Sequence, residues 1–257
     1  MFRPRIPVLA AAAAATVVAG GCGSGDKPAP TVKAAAPPAS APTAPVDTSY
    51  DPKIDPSTFT SRITHRYWPL VAGRTWTYAG MKDGVPERVE VRVSRQAKRV
   101  LGVPCVVVSD VVTSNNTLVE KTTDWYAQDA KGAIWYFGED TKEYVNGVVT
   151  STQGTWEAGV DNAKPGIVLP ARPRPGAFYR QEYRPGLAED KARILSVADT
   201  QTVPAGTYRH VVRTYDIDPL NPDKKEHKWY APGVGPVHVV RIGSAHHEEI
   251  KLLSVHG

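Results

Sequence analysis

From residue 59 onward, apolar and polar side chains alternate with a period of two. Val89, Val91 and Val93 are interleaved with Glu90, Arg92 and Ser94, the pattern of a strand with one buried and one solvated face. The same period predicts strands over 74–79, 104–114, 117–127, 133–138, 141–146 and 147–152. It returns over 178–184, 191–198, 207–216, 226–231, 237–242 and 248–255. Asp83-Gly84, Asn115-Asn116, Asn146-Gly147 and Pro204-Ala205-Gly206 punctuate these runs, and Asn-Gly between two β-prone runs is a strong hairpin signal. No long window carries an apolar stripe at helical spacing; only 187–195 has room for a helical turn. The expected fold is all-β: a large curved antiparallel sheet, as an open half-barrel, a barrel or a two-layer sandwich.

Composition divides the chain before that point. Between positions 28 and 45, 13 of 18 residues are Ala or Pro. Such a stretch buries too little apolar surface to offset the entropy of ordering it. The expected organisation is a signal peptide over 1–21, a disordered tether over 22–57 and a β-rich domain over 58–257. About 200 residues bury enough surface for one self-sufficient core. Arg3 and Arg5, an Ala/Val-rich run over 6–19 and small residues before a break read as a secretory signal.

Ala19-Gly20-Gly21-Cys22 resembles the lipobox of bacterial lipoproteins, in which the cysteine is diacylated and becomes the new N-terminus. The resemblance implies a membrane partner through Cys22 and a cell-envelope location. Two acyl chains anchor firmly where one binds marginally. Ala19 departs from the more usual Leu or Val. A Pro/Ala-rich tether, at about 3 Å per residue, could hold the domain on the order of 80 to 100 Å from the bilayer. The opening run Tyr67-Trp68-Pro69-Leu70-Val71-Ala72-Gly73-Arg74-Thr75-Trp76-Thr77-Tyr78 resembles a class of exported bacterial β-domains. So do Val203-Pro204-Ala205-Gly206-Thr207-Tyr208 and Tyr230-Ala231-Pro232-Gly233-Val234-Gly235. These are largely uncharacterised lipoproteins, some related to half-barrel lipid carriers.

Net charge is +5, which does not call for a nucleic-acid partner. It is unevenly spread: 124–161 carries −5 and seven of the 21 aromatic residues, while 59–123 and 162–257 carry +5 and +4. A hairpin turning at Asp129-Ala130-Lys131-Gly132 would set Tyr126 opposite Trp135 and Asp124 opposite Phe137. Asp124, Tyr126, Trp135, Phe137 and Glu139 would then share one face, with Asp124 diagonal to Glu139. Two carboxylates beside aromatic rings could bind a sugar, clamp a cation or hydrolyse a glycoside. A bulge at Gly132 would move Glu139 to the other face. Asp-x-x-Gly is also an ordinary hairpin turn, and alternating aromatics also pack sheets.

Calcium is a weaker expectation: Glu139, Asp140, Glu143, Glu157 and Asp161 offer oxygen ligands without EF-hand spacing. His246-His247-Glu248-Glu249 puts only two ligands on each strand face, too few for zinc unless His238 or His256 joins. Cys105, among valines, reads as a buried core thiol. Gly-x-Ser-x-Gly, Walker A, Gly-x-Gly-x-x-Gly and His-Glu-x-x-His are absent. Arg172, Arg174, Arg180 and Arg184 form a basic segment that could meet anionic lipid, polysaccharide or the domain's own acidic region. No cofactor is expected. The sequence points to an envelope lipoprotein that binds or carries a lipid, glycan or cation. Its alternatives are a carboxylate hydrolase of envelope glycans and an assembly protein docking through the acidic hairpin.

Overall fold

The computed structural model describes residues 49–243 and 246–257. The signal segment, Cys22 and the tether through residue 48 lie outside the described residues. The chain forms β1 (Phe59–Thr60), β2 (Thr75–Lys82), β3 (Val85–Val100), β4 (Val103–Ser114) and β5 (Thr117–Asp129). There follow β6 (Ile134–Val145), β7 (Val148–Ser151), β8 (Trp156–Glu157), β9 (Lys164–Leu169), β10 (Phe178–Arg180) and β11 (Glu182–Tyr183). Last come β12 (Lys191–Val203), β13 (Gly206–Ile217), β14 (Lys225–Ala231), β15 (Gly235–Ile242) and β16 (His247–His256). A 3-10 turn over Pro56–Thr58 is the one helical element among the described residues. The helical turn expected within 187–195 does not form. Ala192 and Ile194 are buried with exposed Arg193 between them, so the strand period fits the core there.

Across the sheet the hydrogen-bonded order is β10, β12, β13, β14, β15, β16, β2, β3, β4, β5, β6, β9, β11, all antiparallel. β1 adds to β5, and β7 and β8 add to β6. The two ends of this path, β10 and β11, are separated in the chain by Gln181 alone. The chain therefore steps from one edge of the sheet to the other within a single residue, and the sheet is a nearly closed barrel. Gly166 of β9 makes the step possible, since a Cβ there would lie 2.4 Å from the Gln181 carbonyl carbon. Gln181 is pinned by its N–H to the Asp190 carbonyl (2.8 Å) and by its side-chain amide to Asp216 Oδ2 (3.3 Å).

Burial identifies the inner face. On β3, Glu87, Val89, Val91 and Val93 are buried while Arg88, Glu90 and Arg92 are exposed. Trp76, Tyr78, Val112, Tyr126, Tyr136, Tyr230 and Leu252 belong to the same buried cluster. The polar tips of Trp76 and Tyr78 are paired, as buried Trp and Tyr favour. Trp76 Nε1 donates to the Val234 carbonyl (2.8 Å), and the Tyr78 hydroxyl to that of Pro236 (3.0 Å). Cys105 is fully buried, and burial pushes its thiol up to about 12.

The last residues assigned by composition to the tether lie against the barrel. Tyr50 donates to the Pro165 carbonyl (2.7 Å), packs edge-on to Tyr183 and lies under the Arg180 guanidinium.

Candidate functional site

The β5–β6 hairpin contains one more turn residue than its spacing suggested. Asp129 accepts at Oδ1 from the N–H of Lys131 (3.0 Å) and Ala133 (2.9 Å), and at Oδ2 from Trp135 Nε1 (2.9 Å). Gly132 takes φ +97° and Asp129 pairs with Ala133, so every partner slips by one. Tyr126 faces Tyr136, and Ala127 faces Trp135. A second irregularity follows at Gly138, φ +136°, which pairs with Trp125 and leaves Phe137 without a partner on β5. This restores the original phase, and Asp124 comes to lie directly opposite Glu139.

The five candidate residues consequently divide. Asp124, Tyr126 and Glu139 face the barrel interior. There Tyr126 stacks on Tyr136 at 4.9 Å and meets Trp68 edge-on at 5.1 Å. Trp135 and Phe137 both pack edge-on against Phe59 of β1, at 5.9 and 5.6 Å. The expected single aromatic platform does not form, because a bulge sends alternate rings to opposite sides.

Asp124 and Glu139 are only 1% and 2% exposed. Burial lifts the Asp124 carboxyl to about 7, the Tyr136 hydroxyl bond (2.7 Å) opposes that rise, and the Glu120 charge adds to it. Glu139 Oε2 accepts from Thr141 Oγ1 at 3.0 Å. Asp110, 2% exposed, has no hydrogen-bond partner for either carboxylate oxygen among the described residues. Burial pushes it well above the carboxylate range, reinforced by Asp124 and Glu120. Glu182 accepts from Trp156 Nε1 (3.1 Å) and is raised by burial and by Asp190.

Beyond these lies a charged network on β13 to β16. Lys228 Nζ sits 3.0 Å from Asp216 Oδ2 and 2.9 Å from Glu226 Oε1, all nearly inaccessible. Arg241 reaches Glu226 (2.6 Å) and Glu248 (2.8 Å). Burial alone would lower Lys228, but Glu226 and Asp216 outweigh it and keep the ammonium charged. Burial would likewise raise Glu226, and Lys228 with Arg241 reverses that. Eleven acidic side chains are buried among the described residues, against Lys228 and the half-buried Arg241. Burial raises Asp110, Glu182, Asp190 and Asp218 and so favours their neutral carboxylic acid forms. The interior thus combines an apolar cluster with buried carboxyls. Glycoside chemistry needs a sugar in contact with both carboxyls, and side chains seal Asp124 and Glu139 from one.

Three of the other acidic candidates are spent on basic neighbours. Asp140 pairs with Lys142 (2.5 Å), Glu157 with Lys98 (2.6 Å) and Asp161 with Arg184 (2.8 Å), while half-exposed Glu143 stands opposite Glu120. Arg184 of the basic segment thereby meets the domain's own acidic region. No three His, Cys, Asp or Glu side chains among the described residues are placed to hold a metal ion. His246 pairs with Asp83 (2.7 Å) and Glu249 with His238 (2.9 Å), so the His-His-Glu-Glu run is taken up separately.

A second place was missed in the sequence. On β3 the residues Ser94, Arg95 and Gln96 stand against Val107 alone, between the Val93–Val108 and Ala97–Val106 pairs. The signal was there: apolar alternation stops after Val93 and resumes only at Val100. This outward bulge walls two adjoining hollows of about 410 and 390 Å³ that share Ser94, Arg95 and Gln96. Arg62 lines the first and Arg92 the second; neither contains an acidic residue.

No family model matches the chain, and no curated protein matches its sequence. Two solved structures resemble it in outline, each at 15% identity and over 74% of this chain. One, from Bacteroides fragilis, is named for export and a YmcC-like fold; 99% of it is covered, with a TM-score of 0.44. The other, from Parabacteroides distasonis, is named for a lipoprotein; 98% of it is covered, with a TM-score of 0.40.

Proposed function

We propose that this protein is exported, held at a cell-envelope membrane through acylated Cys22, and works as a non-catalytic binding module on the outer surface of its barrel. The observation carrying this reading is the sealing of the inner face. Asp124 and Glu139, the carboxylate pair the sequence singles out for hydrolysis, are 1% and 2% exposed behind Tyr126, Tyr136 and Trp156. A barrel filled by its own side chains leaves recognition to the outside. Docking through the acidic hairpin is less well supported, since Asp140, Glu157 and Asp161 are already paired with cations of the same chain.

The test uses full-length protein extracted in mild detergent. Native mass spectrometry is expected to show a retained envelope molecule, and a panel of envelope glycans is expected to stay uncleaved. Turnover that disappears in Asp124→Asn while the circular dichroism is unchanged would overturn the reading in favour of a hydrolase.

A further inference from the structure

We propose that the groove walled by the Ser94–Gln96 bulge is a binding site for a phosphate-bearing ligand with an apolar body, gripped by Arg62, Arg92 and Arg95. The proposal rests on the reading that the domain binds through its outer surface, and it names the place and the chemistry.

The groove exists because β3 carries surplus residues. They cannot pair with β4, so they bow outward, and the Gln96 N–H closes the bow onto Ser94 Oγ (3.0 Å). Facing the bow is the segment before β2, held down by the Ile63–Leu70 bridge and by the Gly73 N–H to the Val93 carbonyl (2.9 Å). Arg95 lies across Gly73, its Nη2 3.6 Å from where a Cβ would sit. The walls are therefore tied on both sides, and the hollow does not depend on a loose loop.

Its charge is one-sided. Arg62, Arg92 and Arg95 are exposed, and none pairs with a carboxylate among the described residues. Three arginines elsewhere are paired with carboxylates: Arg184 with Asp161, Arg213 with Asp199, and Arg241 with Glu226 and Glu248. Arg95 is common to both hollows, with Arg62 beside it in the first and Arg92 in the second; no acid lines either, so each brings like charges together until an anion enters. Guanidinium is weakly hydrated and presents a rigid fork that matches phosphate oxygens. A carboxylate can satisfy one such fork, whereas a phosphate has oxygens for several. Ser61, Ser94 and Ser109 add hydroxyl donors at the rim. The floor of the larger hollow is apolar, with Ile63, Leu70 and Val106 beneath exposed Val71. A phosphate attached to a hydrocarbon or glycerol body suits both halves.

Such a phosphate could belong to a lipid headgroup or to a soluble phosphorylated sugar or polyol, and the experiment separates them. The full chain carrying Cys22→Ala, which has no acyl anchor, is mixed with phosphatidylcholine vesicles with and without phosphatidylglycerol, and co-sedimentation is measured. In parallel, glycerol 3-phosphate and plain glycerol are titrated calorimetrically. The expected result is binding to at least one phosphate probe, none to glycerol, and weakening with salt. The triple variant Arg62→Gln, Arg92→Gln, Arg95→Gln should lose roughly tenfold or more in affinity, while Arg88→Gln, on the same strand outside the groove, should not. Vesicle binding alone assigns the lipid source, and glycerol 3-phosphate binding assigns the soluble one. Absence of binding to every phosphate probe, or binding that the triple variant leaves intact with its melting temperature unchanged, overturns the proposal. A retained envelope molecule in native mass spectrometry would then leave the outer-surface reading standing without this site.

Discussion

The Tyr136 hydroxyl donates to Oδ1 of Asp124 at 2.7 Å inside the barrel, and that bond opposes the burial that lifts the carboxyl to about 7. In the folded state Asp124 therefore holds its proton through a range where the unfolded chain has released it. Its contribution to stability is fully present below the unfolded value, near 3.8, and is lost as pH rises through about 7. The full chain should melt at a lower temperature at pH 8 than at pH 5.5. Asp124→Asn should flatten that difference, and Tyr136→Phe, which removes the opposing bond, should extend it to higher pH. Each pKa unit is worth about 1.4 kcal/mol, or roughly 3–6 °C in a domain of this size. Calorimetry across pH checks all three; a slope unchanged in Asp124→Asn would remove this carboxyl as its source.

Lys228→Met should cost about 3–5 kcal/mol at neutral pH, since it leaves Asp216 and Glu226 buried without their shared cation. The loss should shrink on acidification, when both carboxyls can take protons. Lys251 pairs with Glu249 on the surface (2.9 Å), and Lys251→Met should cost under about 1 kcal/mol. Urea unfolding of both variants at two pH values measures the contrast.

Gly138→Ala tests the bulge that returns Glu139 to the inner face. A Cβ there would stand 2.3 Å from the Trp156 carbonyl oxygen at φ +136°. Backbone strain alone should cost about 1–3 kcal/mol, and the overlap with β8 should add to it. Gly84→Ala, also at positive φ but with nothing within 4 Å, should lose less. Comparable melting temperatures for the two would mean that the β6–β8 contact yields without cost.

Cys22→Ala should move the protein from the membrane to the soluble fraction, because two acyl chains anchor and a Pro/Ala-rich tether does not. Fractionation of cells expressing either form reads this directly.

Strands and hairpins were legible in the chain itself, because a period of two and turn chemistry are local. Asn115, Asn116 and Asn146 all take positive φ at the turns their residue types announce. The strand β9 was missed because Pro165 and Gly166 are its second and third residues, and Gly166 is there for the close passage of Gln181. The β5–β6 register was out of reach for a related reason. Gly132 and Gly138 are both visible, but each bulge flips the face of everything beyond it, so only the pair together settles where Glu139 points.

By itself the sequence determined an all-β domain, since alternation, breakers and turn chemistry each act within a few residues. Tertiary structure decided that the two sheet edges come together at Gln181, that Asp110, Glu226 and Lys228 face inward, and that Arg62 and Arg92 flank Arg95 in two adjoining hollows. On strands such as Val106-Val107-Val108-Ser109-Asp110 both faces carry apolar and polar residues. Which face is inside then depends on partners far away in the chain, through the long-range pairing that curves the sheet into a nearly closed barrel.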